Sequence, residues 1–417
     1  MTLPDDTPSV LYDWNTPPLR RRAIDVADST LCDGLHCPSV IDPSPRDKRR
    51  LLSLISALGL RSATLGFPGA GPRQAADALD LARELSRAQW MIDASCHATA
   101  TVKDVAMVLD VRERSGLDVE VAIALPVSPI RLEAEGITID RLQESAETSV
   151  TFAVRAGARV VAVLEDASRT PPEMLAVLIN HLVALGASAV RICDSVGHST
   201  PDGTRSLMRF AAEQVKGRGA RSIRLDWQGQ NDRGLALANA MAAVESGVDR
   251  VHASALGLGE RSGTVAMESL LTNLRLIGRW PHTLGALAEY CDSAASAFGI
   301  AIPAAQPVVG SDAFRTGSGA HATALVKALR AGNRWLADNV CSSVPASFVG
   351  VEHRIDIGPV AGLSNVRWWL SQHGYDPSDL VLMRELLLAV KQTQRVASDD
   401  ELHTMADALL GARSARS

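Results

Sequence analysis

Residues 119–125 read VEVAIAL, residues 159–164 RVVAVL and residues 188–193 SAVRIC, and between them Ile139 to Ala156 and Glu173 to Leu185 carry apolar residues at helical spacing. Short, mostly β-branched runs separated by amphipathic helices predict βαβ units, because parallel strands cannot be joined by a tight turn. The alternation extends outward in both directions, with apolar runs at 23–27, 62–66, 89–93, 222–227 and 249–254 that bring the total to eight. Helical periodicity fills the gaps over Asp47 to Leu58, Gln74 to Leu85, Leu207 to Val215 and Leu235 to Val244. Eight such units close on themselves as an α/β TIM (β/α)8 barrel of about 250 residues. The barrel is expected over 22–285, after an extended lead-in at 1–21 carrying Pro4, Pro8, Pro17 and Pro18. A mostly helical C-terminal subdomain is expected over 286–417, with Trp335, Trp368 and Trp369 as packing anchors. A doubly wound open sheet is the alternative, but no GxGxxG opens the first helix.

Composition narrows the partners. The chain has 417 residues, 46% hydrophobic and 21% charged, with a net charge of -5 and its 42 basic residues scattered rather than gathered in a stripe. That distribution gives no footprint for nucleic acid or an anionic membrane and points to a small-molecule substrate. Cys32, Cys37, Cys96, Cys193, Cys291 and Cys341 form no CxxC pair, and no secretory or membrane-spanning segment is recognised. They read as reduced thiols, with a cytoplasmic location expected.

Active sites of such barrels lie at the C-terminal strand ends. Those ends are polar here: Asp28 to Asp33, Thr64 to Pro68, Ser95 to His97, Ser128, Glu165-Asp166, Asp194-Ser195, Gln228 to Asp232 and Ser254 to Glu260. A structural rim would show mixed charges without this recurrence of Asp, His, Ser and Gly.

The same residues carry a resemblance. Asp28 to Gly34 resembles the D-T-T-L-R-D-G opening of the metal-dependent enzymes that include isopropylmalate synthase, homocitrate synthase and hydroxymethylglutaryl-CoA lyase, the DRE-TIM metallolyases. Leu65-Gly66-Phe67-Pro68, Glu165-Asp166-Ala167-Ser168-Arg169, Asp194-Ser195-Val196-Gly197, Asn231 to Ala236 and Gly257 to Gly263 are similar to further segments of that family, in order and spacing over about 22–365. Pro307 to Gly310, Ala313-Phe314 and Ser318-Gly319-Ala320-His321 resemble the extension found in the synthases and absent from the lyases. Gly362-Leu363-Ser364-Asn365 is similar to a later glycine-serine segment.

The resemblance implies a Claisen condensation in which His321 helps enolise acetyl-CoA, the co-substrate, and a 2-oxo acid accepts the new carbon. It also implies homodimers. His is the usual base for such a proton near neutral pH. Asp33, Glu165 and Cys32 complete the candidate catalytic set. Gln228, Gln230, Arg169, Ser195, Thr64, His97, Arg131 and Glu260 are the candidate substrate contacts.

The departures fall at one focus. The family holds a divalent metal through an Asp, two His and often an Asn; of these Asp33 remains, while Gln228 and Gln230 replace the His pair and Thr264 stands for the Asn. Cys32 replaces the catalytic Arg and Thr64 a Glu. Three readings stay open. Asp33, Gln228 and Gln230 hold Mg2+ or Mn2+ weakly through oxygen; or the two Gln, on one strand face, replace the metal with amide donors while Cys32, Asp33, His36 and His97 move protons; or catalysis is lost and a binding paralogue remains. A retro-aldol carbon-carbon lyase is the other reaction class.

Overall fold

The structure is a computed structural model that describes residues 14–15, 23–215 and 222–415. The lead-in expected over 1–21 therefore lies outside the described residues, apart from Trp14 and Asn15. The chain divides into two compact units at Ile302/Pro303. The helix Leu287–Phe298, beyond the boundary at 285 drawn from sequence, falls with the first unit.

The first unit is a closed parallel barrel of eight strands: β1 (Asp25–Asp28), β2 (Ser62–Gly66), β3 (Asp93–Thr99), β4 (Glu120–Pro126), β5 (Val160–Glu165), β6 (Ala189–Asp194), β7 (Arg224–Gly229) and β8 (Arg250–Ala253). β1 closes the ring on β8, with Asp25 to Asp28 in register with Arg250 to Ala253. Seven strands follow their apolar runs. The third is displaced: the run 89–93 precedes β3, Met91 is 84% exposed, and the strand instead reads Asp93-Ala-Ser-Cys-His-Ala-Thr99. Ser95 and His97 occupy alternate positions of that strand, and their polarity masked the apolar signal.

Side chains that touch across non-neighbouring strands define the lumen. At the N-terminal end Glu120 of β4 is 1% exposed and meets Arg224 of β7 at 2.8 Å, Arg250 of β8 at 3.5 Å and Arg159 at 2.8 Å. Burial pushes the Glu120 carboxyl up, but Arg224, Arg250 and Arg159 together hold it below the usual range. Above this ionic plug lie small side chains, Ala122, Val161, Val163, Ala189 and Cys193.

The second unit is mostly helical, with helices Gly319–Arg330, Arg334–Asn339, Leu363–Gln372, Leu380–Lys391 and Asp399–Ser414 and one short parallel pairing of Arg315–Thr316 with Arg354–Ile355. Trp369 is 3% exposed in a cluster with Leu370, Met383, Leu386 and Leu402, and its indole N–H donates to Asp399 at 2.9 Å. Trp368 packs on a separate cluster around Leu325 and Val326, and Trp335 is half-buried. Among the described residues no helix is long and apolar enough to cross a membrane.

Candidate active site

The turn after β1 sets the floor of the barrel mouth. Asp28 ends the strand and folds the chain back on itself: its carboxylate accepts from the Thr30 backbone N–H at 2.9 Å, from the Thr30 hydroxyl at 3.2 Å and from the Tyr290 hydroxyl. Complete burial pushes the Asp28 carboxyl up to about 6. The backbone N–H groups of Cys32 and Asp33 both donate to the Ser29 carbonyl, at 3.0 and 2.7 Å, which fixes Asp33 at the start of a short 3-10 turn (Asp33–His36).

From Asp33 a polar chain crosses the lumen. The Gln228 amide N–H donates to the Asp33 carboxylate at 2.6 Å, and the Gln228 carbonyl oxygen accepts from Arg191 Nη1 at 3.3 Å. The same Nη1 lies 3.1 Å from His97 Nε2. Only one orientation of Gln228 works, since the opposite one would aim an oxygen at a carboxylate and an N–H at a guanidinium. Arginine can only donate, so His97 Nε2 accepts and its ring proton sits on Nδ1. Burial, then the Arg191 charge, holds the His97 ring well below its usual pKa, so the ring is neutral. Burial likewise pushes the Asp33 carboxyl up, against His36 and Arg191, and pushes the Cys32 thiol well up, with Asp33 adding to the effect. Cys32 Sγ, an Asp33 oxygen and a His97 ring nitrogen lie within 4.8 Å of one another. Thr64 is buried beside them, its hydroxyl accepting from Ser95 at 3.2 Å, while His36 is exposed.

Arg191 was not singled out from the sequence as a site residue. The available signal was a charged residue inside the buried run SAVRIC, since parallel barrel strands are covered on both faces and an Arg there is buried on either one.

Around the floor runs a rim whose charges are paired with each other. Arg169 places Nε and Nη2 on Asp166, at 2.8 and 2.6 Å. Arg131 meets Glu165 at 2.9 Å and Glu135 at 2.6 Å. The Ser195 hydroxyl accepts from the Asp166 N–H at 2.9 Å, and Ser128 donates to the Asp166 carboxylate. Asp194 accepts from Ser168 and from the backbone N–H groups of His198 and Ser199. Glu260 is exposed and paired with Arg261, which also reaches Asp232 at 2.8 Å and the Ser195 carbonyl at 2.6 Å. Gly263 makes that reach possible: it sits at φ +80°, and a Cβ there would lie 2.0 Å from the Gly257 carbonyl. Glu165, at the end of β5, has its carboxyl pushed up by burial, with Arg131 opposing.

Gln228 and Gln230, the pair expected to act as amide donors, differ in their hydrogen bonding. Gln228 spends its N–H on Asp33, whereas the Gln230 carbonyl oxygen is buried without a hydrogen-bond partner among the described residues. Thr264 donates to the Gly229 carbonyl at 2.8 Å. These donors do not fit a divalent cation. The site holds a single carboxylate, the Gln228 oxygen and the His97 Nε2 lone pair both face Arg191, and a fixed guanidinium beside the site repels a second cation.

His321 belongs to the second unit, in the first turn of Gly319–Arg330, where its backbone N–H is capped by the Ser318 hydroxyl at 3.4 Å and its side chain is exposed. The two family-like segments of that unit pack together. A Cβ on Gly319 would lie 2.9 Å from Gly362, and Thr323 donates to Ser364 at 2.8 Å. The close approach of the two backbones requires glycine at both positions.

Comparison with known proteins adds to this geometry. The HMGL-like family matches residues 23–292. A 2-isopropylmalate synthase of Lactococcus lactis subsp. cremoris is 26% identical over 394 residues, covering 92% of this chain and 73% of the relative. A Methanopyrus kandleri protein assigned as an (R)-citramalate synthase is 27% identical over 396 residues, covering 93% of this chain and 72% of the relative. Among solved structures, the HMG-CoA lyase of Bacillus subtilis superposes with a TM-score of 0.57 at 19% identity, covering 69% of this chain and 97% of the lyase.

Proposed function

Because the chain belongs to the HMGL-like family, we propose that it is an acyltransferase that condenses acetyl-CoA, or a similar acyl-CoA, with a 2-oxo acid, giving a 2-hydroxy dicarboxylic acid and free CoA. The observation that carries this reading is the reach of the synthase similarity, which spans 92% of the chain and so runs through the second unit, where Ser318 to His321 lies.

In this reading His321 takes a proton from the acyl methyl group, whose C–H is weakly acidic beside a thioester. The carbon so formed adds to the keto carbon of the oxo acid. The keto oxygen gains a proton, for which Glu165, whose carboxyl burial pushes up, is the candidate donor. Water then cleaves the thioester and CoA leaves. Asp33, Cys32 and His97 form the cluster that surrounds the oxo acid, and Arg169, Ser195 and Arg131 hold the rim loops in shape. Charge builds on the keto oxygen in the transition state, so a positive group must be fixed near it beforehand.

The test is thiol release from acetyl-CoA in the presence of a panel of 2-oxo acids. The proposal expects CoA release with at least one of them. No release with any acid, together with cleavage of a 3-hydroxyacyl-CoA, would overturn it in favour of a lyase.

A further inference from the structure

Arg191 differs from Arg224 and Arg250, the guanidinium groups on strands β7 and β8. Arg224 and Arg250 are paired with Glu120, Asp226 and Asp25 at 2.5–3.5 Å. Arg191 is 1% exposed, yet among the described residues no carboxylate oxygen lies within salt-bridge distance of it. Its Nη1 has only neutral acceptors, His97 Nε2 and the Gln228 carbonyl, and its Nε is buried with no hydrogen-bond partner. Asp33 is reached only through Gln228, and Asp226, which lies opposite Arg191 in the β6–β7 register, is held by Arg224 at 2.9 Å. A buried charge is tolerated when an anion comes to meet it. The surrounding polar groups orient the guanidinium without neutralising it, which leaves that place for a ligand.

We propose that Arg191 is the anion-binding residue of the barrel floor, taking the carboxylate and keto oxygen of a 2-oxo acid and supplying the positive charge that the absent metal ligands no longer fix. The substrate identity rests on the condensing function proposed above; the anion site does not. A planar guanidinium presents paired N–H donors that match the two oxygens of such an acid. Gln228 bridges Arg191 and Asp33 through its amide, which holds both side chains in place before the ligand arrives.

The experiment is calorimetric titration of the full chain with pyruvate, 3-methyl-2-oxobutanoate and oxalate in buffer containing EDTA, on wild type, Arg191→Met and Arg191→Lys. Metal content of each preparation is measured by mass spectrometry and folding by thermal melting. Wild type is expected to bind at least one of these anions with no stoichiometric metal. Arg191→Met should weaken that binding roughly 10- to 100-fold while melting no lower than wild type, and Arg191→Lys should fall between them. Binding that requires added Mg2+ or Mn2+, or that changes less than about threefold in a folded Arg191→Met protein, overturns the inference. Binding of oxalate that depends on Arg191, with no CoA release from any oxo acid, keeps the anion site and overturns the condensing function instead.

Discussion

Asp28 shows how one buried residue sets a pH dependence. Its carboxyl rises from 3.8 to about 6 on folding. The folded chain therefore holds the proton more tightly, and the contribution is stabilising below about pH 4 and lost as pH rises through 6. At about 1.4 kcal/mol per unit, the Asp28 contribution amounts to roughly 3 kcal/mol. Denaturant unfolding of wild type and Asp28→Asn between pH 4 and 7 should show the variant losing less stability over that window; parallel curves would contradict the assignment. At the same scale, the guanidinium partners explain which site residues were legible. Asp33 and Gln228 were legible because the motif around them is. The commitments of Arg169 to Asp166 and of Arg131 to Glu165 and Glu135 depend on rotamers that spacing does not display. Arg191 was overlooked because a charge inside an apolar run was read as strand, although its burial follows from the parallel sheet.

At the scale of elements, seven strands were legible because their apolar runs are continuous. β3 was not, since a strand that contributes Ser95 and His97 to the lumen loses that signature. The loops after the strands depend on backbone shapes as well as on side chains. Gly263 and Gly234 both have positive φ, at +80° and +70°, but only Gly263 has an atom in the way of a Cβ. Gly234→Ala should cost about 1–2 kcal/mol of backbone strain, whereas Gly263→Ala should cost more and release Arg261 from Asp232 and Ser195. Thermal melting of the two variants, with the KM for the oxo acid, checks the pair. Equal effects would refute the steric argument.

For the whole molecule, the two ends of the barrel divide stability from chemistry. Glu120 anchors three arginines at the N-terminal end, and removing one partner of such a buried network costs about 3–5 kcal/mol. Glu120→Gln should lower the denaturant midpoint accordingly and leave the KM for oxo acid unchanged; a stability like that of wild type would contradict the network. The two units should divide the reaction in the same way. His321→Ala is expected to reduce CoA release by about 100- to 10,000-fold, the range of general base catalysis, while the barrel binds oxo acid as before. Loss of oxo acid binding in that variant would show that His321 is not the thioester base.

In the proposed condensation the positive charge comes from the protein. This is tested most directly by mass-spectrometric detection of product from 13C-labelled acetyl-CoA and a 2-oxo acid, with CoA counted in parallel, in buffer with and without EDTA. One labelled 2-hydroxy dicarboxylic acid per CoA released is expected, at the same rate in both buffers. A product that forms only when a divalent metal is restored would contradict this.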